Sequence, residues 1–344
     1  MSRRSLTLAI AGLATVVALA IAVLVPVPYV ILTPGPTLNT LGKDSSGQPL
    51  ISITGHQTYP TKGHLNLVTI SYEGGPGSNL NIFQAVRAWL APSEAVVPQG
   101  ELFPPGQTAQ QTQTQDTEQM ASSQELATVA ALNELHISYQ TQVQVNSTAP
   151  GYPASKVLKA GDIIEEVDGK PVTGDTSLSS MITAHPAGST LQLVVLRAGK
   201  TLTVPVTSKL SGGTPIIGVN VQEQYKFPFN VRISVGDIGG PSAGMMFALG
   251  IIDMLTPLNL TGGKFIAGTG EITTAGQVQP IGGIQQKMVG ARDAGATVFL
   301  APAGNCSDTV GAVPAGLKVV KVSTLSQAVS DLEAIKAGQP VPSC

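Results

Sequence analysis

Charge is scarce in this chain. Of its 344 residues only 12% are Asp, Glu, Lys or Arg, and the formal net charge is -2. Nucleic-acid binding needs a concentrated positive face to displace counterions from phosphates. Beyond Arg3 and Arg4 there is no basic run, so no nucleic-acid partner is expected. Histidine is equally sparse. His56, His64, His136 and His185 lack metal-ligand spacing and neighbouring cysteines, which leaves no metal site to expect. All four read as structural or surface residues. Two cysteines, Cys306 and Cys344, are too few for a disulfide-dense scaffold. Whether they pair, or are one buried thiol and one free tail, the sequence leaves open. Aromatics make up 4%, with one tryptophan, Trp89, which suits either a membrane-interface anchor or a core position.

What the chain does have is one long apolar run. LTLAIAGLATVVALAIAVLV, residues 6–25, contains no charge. At about 1.5 Å rise per residue a helix of this length covers about 30 Å, the thickness of a bilayer's hydrocarbon core. It reads as a retained single-pass transmembrane anchor, with Arg3 and Arg4 in the cytoplasm and everything after Pro28 extracytoplasmic. A cleaved signal peptide is the rival. The apolar core is long for one, and PVPYVILTPGP offers no obvious small-residue cleavage site.

Patterning divides the rest. Residues 1–28 are the cytoplasmic stub and anchor. Residues 29–119 form a strand-rich juxtamembrane segment, with a short helix over 81–90, followed by a polar Gln/Thr-rich linker, ELFPPGQTAQQTQTQDTEQ. Helical spacing resumes near 120, with Ser122 or Ser123 as a cap, and from 137 the period becomes that of strands. TLQLVVLRAGKTLTVPVTS predicts a hairpin turning at Ala198-Gly199-Lys200. Residues 120–210 therefore form a helix plus a small β-rich domain. Residues 214–340 alternate strands and helices, so the fold class expected is α+β multidomain.

GGPSAGMMFALG, residues 239–250, places Ser242 in a Gly-rich turn ahead of an apolar helix. Phosphate binding is the first reading to weigh. The P-loop pattern fails, because Gly199-Lys200-Thr201 has Val194 where the first glycine belongs and GGPSAG has no lysine. No nucleotide is expected. A nucleophilic serine instead needs a general base. Gly240-Pro241-Ser242-Ala243-Gly244 fits the spacing of G-x-S-x-G, yet no histidine follows residue 185, which excludes the ordinary triad of that fold. A lysine serves if its surroundings favour the neutral amine. Lys287, in PIGGIQQKMVGARDAG, opens a helix with apolar Ile284, Met288 and Ala291. A helix N-terminus and a hydrophobic face both disfavour an ammonium ion. The same features also describe an ordinary lysine snorkelling off a core helix.

Two resemblances go further than spacing. YPASKVLKAGDIIEEVDGKPV resembles a PDZ domain of the bacterial type, which implies a groove that takes an extended peptide as an added strand. GGPSAG, followed by TGEITTAGQVQPIGGIQQK, resembles the proteolytic domain of the Lon family, the Ser-Lys dyad peptidases, over roughly residues 215–335. The resemblance implies Ser242 as nucleophile, Lys287 as base, Thr269 as the residue that orients the lysine, and an oxyanion hole from the backbone of Ser242 and glycine neighbours such as Gly240. Asp237 is carried as a supporting residue. Family members often have Pro-Lys-Asp-Gly ahead of the Pro-Ser, where this chain has Gly236-Asp237-Ile238-Gly239-Gly240. The layout of anchor, PDZ-like domain and Lon-type domain, with no ATPase module, resembles bacterial membrane-anchored, PDZ domain-containing Lon-like serine proteases. The implied function is an ATP-independent extracytoplasmic serine endopeptidase that acts on unfolded or flexible segments and protein tails, without cofactor, metal or nucleotide. Family analogy extends to a homo-oligomer. The alternative is a catalytically silent, membrane-anchored peptide-binding scaffold, which would need none of Ser242, Thr269 and Lys287.

Overall fold

The computed structural model describes residues 3–44 and 46–344; residues 1 and 2 of the expected 1–28 anchor segment lie outside them. The chain folds as two compact units, one built from 1–137 together with 229–344 and the other from 138–228. The second unit is thus an insertion in the first.

The first unit is built on a six-stranded sheet, in the order Lys318–Val322, Val298–Pro302, Phe265–Gly268, His64–Glu73, Tyr29–Asn39, Ala95–Pro98. The first four strands run parallel and the last two pair antiparallel. The segment expected to be a separate juxtamembrane region therefore supplies half of this sheet. Side chains alternate across a strand, and the two faces take different helices. On one, Ala267, Phe299, Ala301 and Val319 pack with Ile284, Met288 and Ala291 of helix Ile284–Asp293. On the other, Gly268 and Leu300 meet Met246 of helix Gly244–Leu255, so closely that a Cβ on Gly268 would lie 2.7 Å from its sulfur. Helix Gly244–Leu255 is buried along almost its whole length, which explains why its sequence is apolar apart from Asp253.

Of the stretch 101–119 read as a linker, residues from Ala109 on instead open a 26-residue helix, Ala109–Glu134. The cap is Thr108, not Ser122 or Ser123. Its side chain accepts from the Gln111 backbone, and the Gln111 side chain accepts from the Thr108 backbone N–H, a capping box. Hydroxyls of Thr112, Thr114 and Thr117 donate back to carbonyls four residues earlier. The polar stretch can be helical because the helix packs on Gly244–Leu255, and tertiary burial overrides weak propensity.

The inserted unit is a β-sheet with strands in the order Val219–Lys226, Gln140–Thr148, Ile163–Val167, Thr190–Arg197, Lys200–Thr207, with a short 3-10 helix, Pro153–Lys156, and an α-helix, Asp175–Thr183. The hairpin turns where expected, with Ala198 and Gly199 both at positive φ. Strand Val219–Lys226, placed by sequence in the C-terminal domain, pairs along its length with Gln140–Thr148 and belongs here. Inside the sheet, Asp162 is nearly fully buried and takes a two-pronged contact from Arg197, whose Nε and Nη2 donate to its two carboxylate oxygens at 2.7 and 2.6 Å.

The N-terminal helix Arg3–Leu24 has a mean hydropathy of 2.5 over its most apolar stretch, none of which is buried among the described residues. By length and composition it suits a signal sequence or a membrane anchor. Cys306 and Cys344 are joined in a disulfide, which closes the alternative of a buried thiol and a free tail.

Candidate active site

Ser242 lies in the turn just before helix Gly244–Leu255 and is half-buried. Thr269 follows the carboxyl end of strand Phe265–Gly268 and is fully buried. Lys287 sits in the first turn of helix Ile284–Asp293 and is 3% exposed. The three residues are far apart in sequence, and a helix from each face of the sheet brings two of them to the same strand end. Open α/β sheets hold their functional crevices at the carboxyl ends of the strands.

Lys287 Nζ is 2.8 Å from Ser242 Oγ and 3.2 Å from Thr269 Oγ1. The Thr269 hydroxyl donates to the Ser242 carbonyl at 3.0 Å, and the Gly270 N–H donates to the same carbonyl at 2.7 Å. Burial is the main influence on Lys287 and lowers its pKa from the ordinary 10.5 to about 8, against an opposing pull from the Glu271 carboxylate. Glu271 is itself pushed up by burial, with Lys287 drawing it back. An amine of this kind is partly neutral near physiological pH.

Close approach is built into the backbone. Gly283, the residue before the lysine helix, is left-handed at φ 67°, and a Cβ there would lie 2.8 Å from Ile70. At Gly244 a Cβ would meet Ile272 at 2.8 Å and the Ser123 hydroxyl at 3.1 Å. Larger residues at either position would push the serine or lysine helix off the sheet.

Of the residues expected here, Ser242, Lys287 and Thr269 come together. Gly240 is next to them at positive φ, but its N–H is committed to the Asp116 carbonyl at 3.0 Å, so it does not serve an oxyanion hole. The Ser242 N–H has no backbone partner among the described residues. Asp237 is exposed and, among the described residues, has no hydrogen bond or ion pair to the three. It lines a neighbouring cavity of about 680 Å3, bounded by Tyr72, Asp116, Met120, Val235 and Gly239. Sequence reasoning missed two residues that fix the serine turn: Asp116 through its carbonyl, and Ser123, whose hydroxyl donates to the Pro241 carbonyl at 2.9 Å. Asp116 lies in the first half of the long helix, which carries no apolar periodicity to mark it, and Ser123 was legible only as a possible helix cap.

The inserted unit has its own recess, about 230 Å3, between helix Asp175–Thr183 and the segment 214–221. It is lined by apolar side chains including Leu178, Ile182, Ile216 and Val219. Val219–Lys226 is an edge strand of its sheet, so a backbone edge borders the recess.

Comparison with known proteins gives these features relatives. Residues 224–334 match the Lon protease C-terminal proteolytic domain family, and residues 113–207 match the PDZ domain family. The chain is 32% identical over 136 residues to Lon protease of Syntrophomonas wolfei, a match covering 37% of this chain and 16% of that protein. It is 32% identical over 119 residues to Lon protease 1 of Bacillus subtilis, covering 33% and 15%. The matched region spans about a sixth of these relatives' length. Among solved structures, the PDZ domain of an SdrC-like protein from Listeria monocytogenes is similar at 28% identity, covering 23% of this chain and 85% of that one, with a TM-score of 0.22. The chain thus carries a region of the Lon proteolytic domain family and a region of the PDZ domain family.

Proposed function

We propose that this protein is an ATP-independent serine endopeptidase, anchored with its bulk outside the cytoplasm, in which Ser242 is the nucleophile and Lys287 the general base. The observation that carries the reading is the 2.8 Å approach of a nearly fully buried lysine amine to the serine hydroxyl.

Thr269 positions the amine. Its own proton goes to the Ser242 carbonyl, so it presents a lone pair to Nζ and accepts one N–H. That leaves the amine's lone pair facing Ser242. The neutral amine takes the hydroxyl proton as Oγ bonds to the substrate's carbonyl carbon. The resulting ammonium returns the proton to the leaving nitrogen as the C–N bond breaks, and a water repeats the sequence on the acyl-enzyme. The developing oxyanion is assigned to the free Ser242 N–H. The 680 Å3 cavity, lined up to Gly239 in the segment that precedes Ser242, is the nearest space for an extended substrate. In the inserted unit, the apolar recess along an edge strand suits an extended peptide or tail that adds as a further strand.

The test is cleavage of an unstructured peptide library by the full chain, without ATP or metal, read by mass spectrometry beside Ser242→Ala and Lys287→Ala. Cuts made by the parent and lost in both folded variants support the reading. Cuts that persist in either variant refute the assignment. Binding of the library without any cut by the parent favours the silent scaffold.

A further inference from the structure

Helix Ile82–Trp89 carries its hydrophobic residues on the wrong side for a core helix. Asn81 and Gln84 cap it in a capping box. Its buried positions are only Ala85 and Ala88, and Ala88 packs with Ile31 and Leu80. The large apolar residues Ile82, Phe83, Val86, Trp89 and the following Leu90 are all exposed, Trp89 and Leu90 by 74% and 73%. At 100° per residue these five fall within an arc of about 120°, centred well away from the alanine face. They form one stripe of large apolar side chains facing outward.

The chain's own connections say what lies on the other side of that stripe. Residues 25–28 alone separate the apolar helix Arg3–Leu24 from strand Tyr29–Asn39. The Val27 N–H donates to the Leu80 carbonyl at 2.8 Å, and the Gln99 N–H to the Pro28 carbonyl at 3.0 Å. The segment leaving the apolar helix is therefore fastened to the residue just before Asn81. At no more than about 3.5 Å per residue, Tyr29 lies within about 20 Å of Leu24, and Tyr29 is itself 40% exposed. Arg87, on the flank of the stripe, pairs with Glu94 at 3.1 Å yet keeps a largely exposed guanidinium.

We propose that helix Ile82–Trp89 lies in the lipid interface of the bilayer that holds the Arg3–Leu24 helix, with Phe83, Val86, Trp89 and Leu90 among the upper acyl chains and Arg87 at the level of the lipid phosphates. The proposal rests on Arg3–Leu24 being retained as an anchor. Large apolar and aromatic residues with a flanking cation form the usual interfacial combination, immersed by about 5–10 Å. A single spanning helix leaves a domain free to swivel; a second lipid contact beside it fixes which face of the sheet-bearing unit turns toward the membrane.

Trp89 is the only tryptophan, so the native chain reports on itself. Full-length protein is reconstituted in phosphatidylcholine vesicles containing phosphatidylglycerol, with and without phosphatidylcholine brominated high on its acyl chains, and washed with alkaline carbonate. Support is a retained chain whose Trp89 emission is blue-shifted, quenched several-fold by the bromines and nearly untouched by iodide. The surface variant Phe83→Ser with Val86→Ser should lose most of the bromine quenching while staying on the vesicles. A retained chain with Trp89 open to iodide and insensitive to bromine overturns the proposal and leaves the anchor standing. Shielding from both quenchers overturns it too, because protein, such as a second copy, then covers the stripe. Release by carbonate removes the anchor reading and the proposal together.

Discussion

The proposed base makes a definite demand on pH. With the Lys287 pKa at about 8, about 9% of the amine is neutral at pH 7, about 1% at pH 6 and about 90% at pH 9. An ordinary lysine at 10.5 would be about 0.03% neutral at pH 7, so burial raises the active fraction about 300-fold. The value of kcat/KM should therefore rise about tenfold per pH unit up to about 8 and then level. Glu271 sharpens the test, since its carboxylate holds the lysine pKa up. Glu271→Gln removes that charge and should move the inflection to lower pH. A downward movement of half a unit would raise kcat/KM at pH 7 about 2.6-fold. Removing an acidic residue beside a catalytic centre is thus expected to increase activity at neutral pH and leave the alkaline plateau alone. The assay is steady-state cleavage of a quenched-fluorescence peptide from pH 5.5 to about 9.5, parent against variant. A parent profile already flat at pH 6, or an inflection that moves up in Glu271→Gln, would refute Lys287 as the titrating base.

Other consequences are open to measurement. Because the folded pKa of Lys287 lies below the unfolded one, the unfolded state binds more protons between about 8 and 10.5, and stability rises with pH across that window. Below it the buried amine costs about 3 kcal/mol. Lys287→Met should therefore be inactive yet more stable at pH 6 by about 1–2 kcal/mol in urea unfolding, after the lost hydrogen bonds are counted. Equal or lower stability would contradict this. Ser123→Ala deletes the bond to Pro241, and should cost about 1 kcal/mol of stability and lower kcat more than it raises KM. Gly283→Ala combines a left-handed φ with a 2.8 Å contact to Ile70; a loss of about 1–3 kcal/mol and a large fall in activity are expected in the same two assays. Cys306 and Cys344 close a loop of 38 residues, so reduction should lower stability by about 3–4 kcal/mol in the chain-entropy account, read as a fall in Tm under dithiothreitol.

The parts of the site that obey periodicity were legible beforehand. Helices Gly244–Leu255 and Ile284–Asp293 announce themselves by apolar spacing behind glycine turns, and Ser242 and Lys287 stand at their starts. The supports were hidden for a physical reason. The long helix begins in a Gln/Thr run with only Thr112 and Met120 buried before residue 121, and it is held by side-chain caps and by packing on another helix, neither of which has a hydropathy signal. Strand Val219–Lys226 alternates like any other strand. Only its pairing with Gln140–Thr148, across the whole inserted unit, decides its allegiance. The influence of Glu271 on Lys287 is likewise a matter of distance through space.

That pairing has a practical consequence. Gln140 sits opposite Lys226 in the antiparallel register, so the chain enters and leaves the inserted unit at adjacent strand ends, about 5 Å apart. The insertion is a detour with a closed neck. A turn of a few residues could bridge Ile137 to Phe229 and make the first unit continuous. The spliced chain would retain Ser242, Thr269 and Lys287 in one fold. Its cleavage rates on short and long peptides, set against those of the intact chain, would separate the contribution of capturing a substrate from that of cutting it.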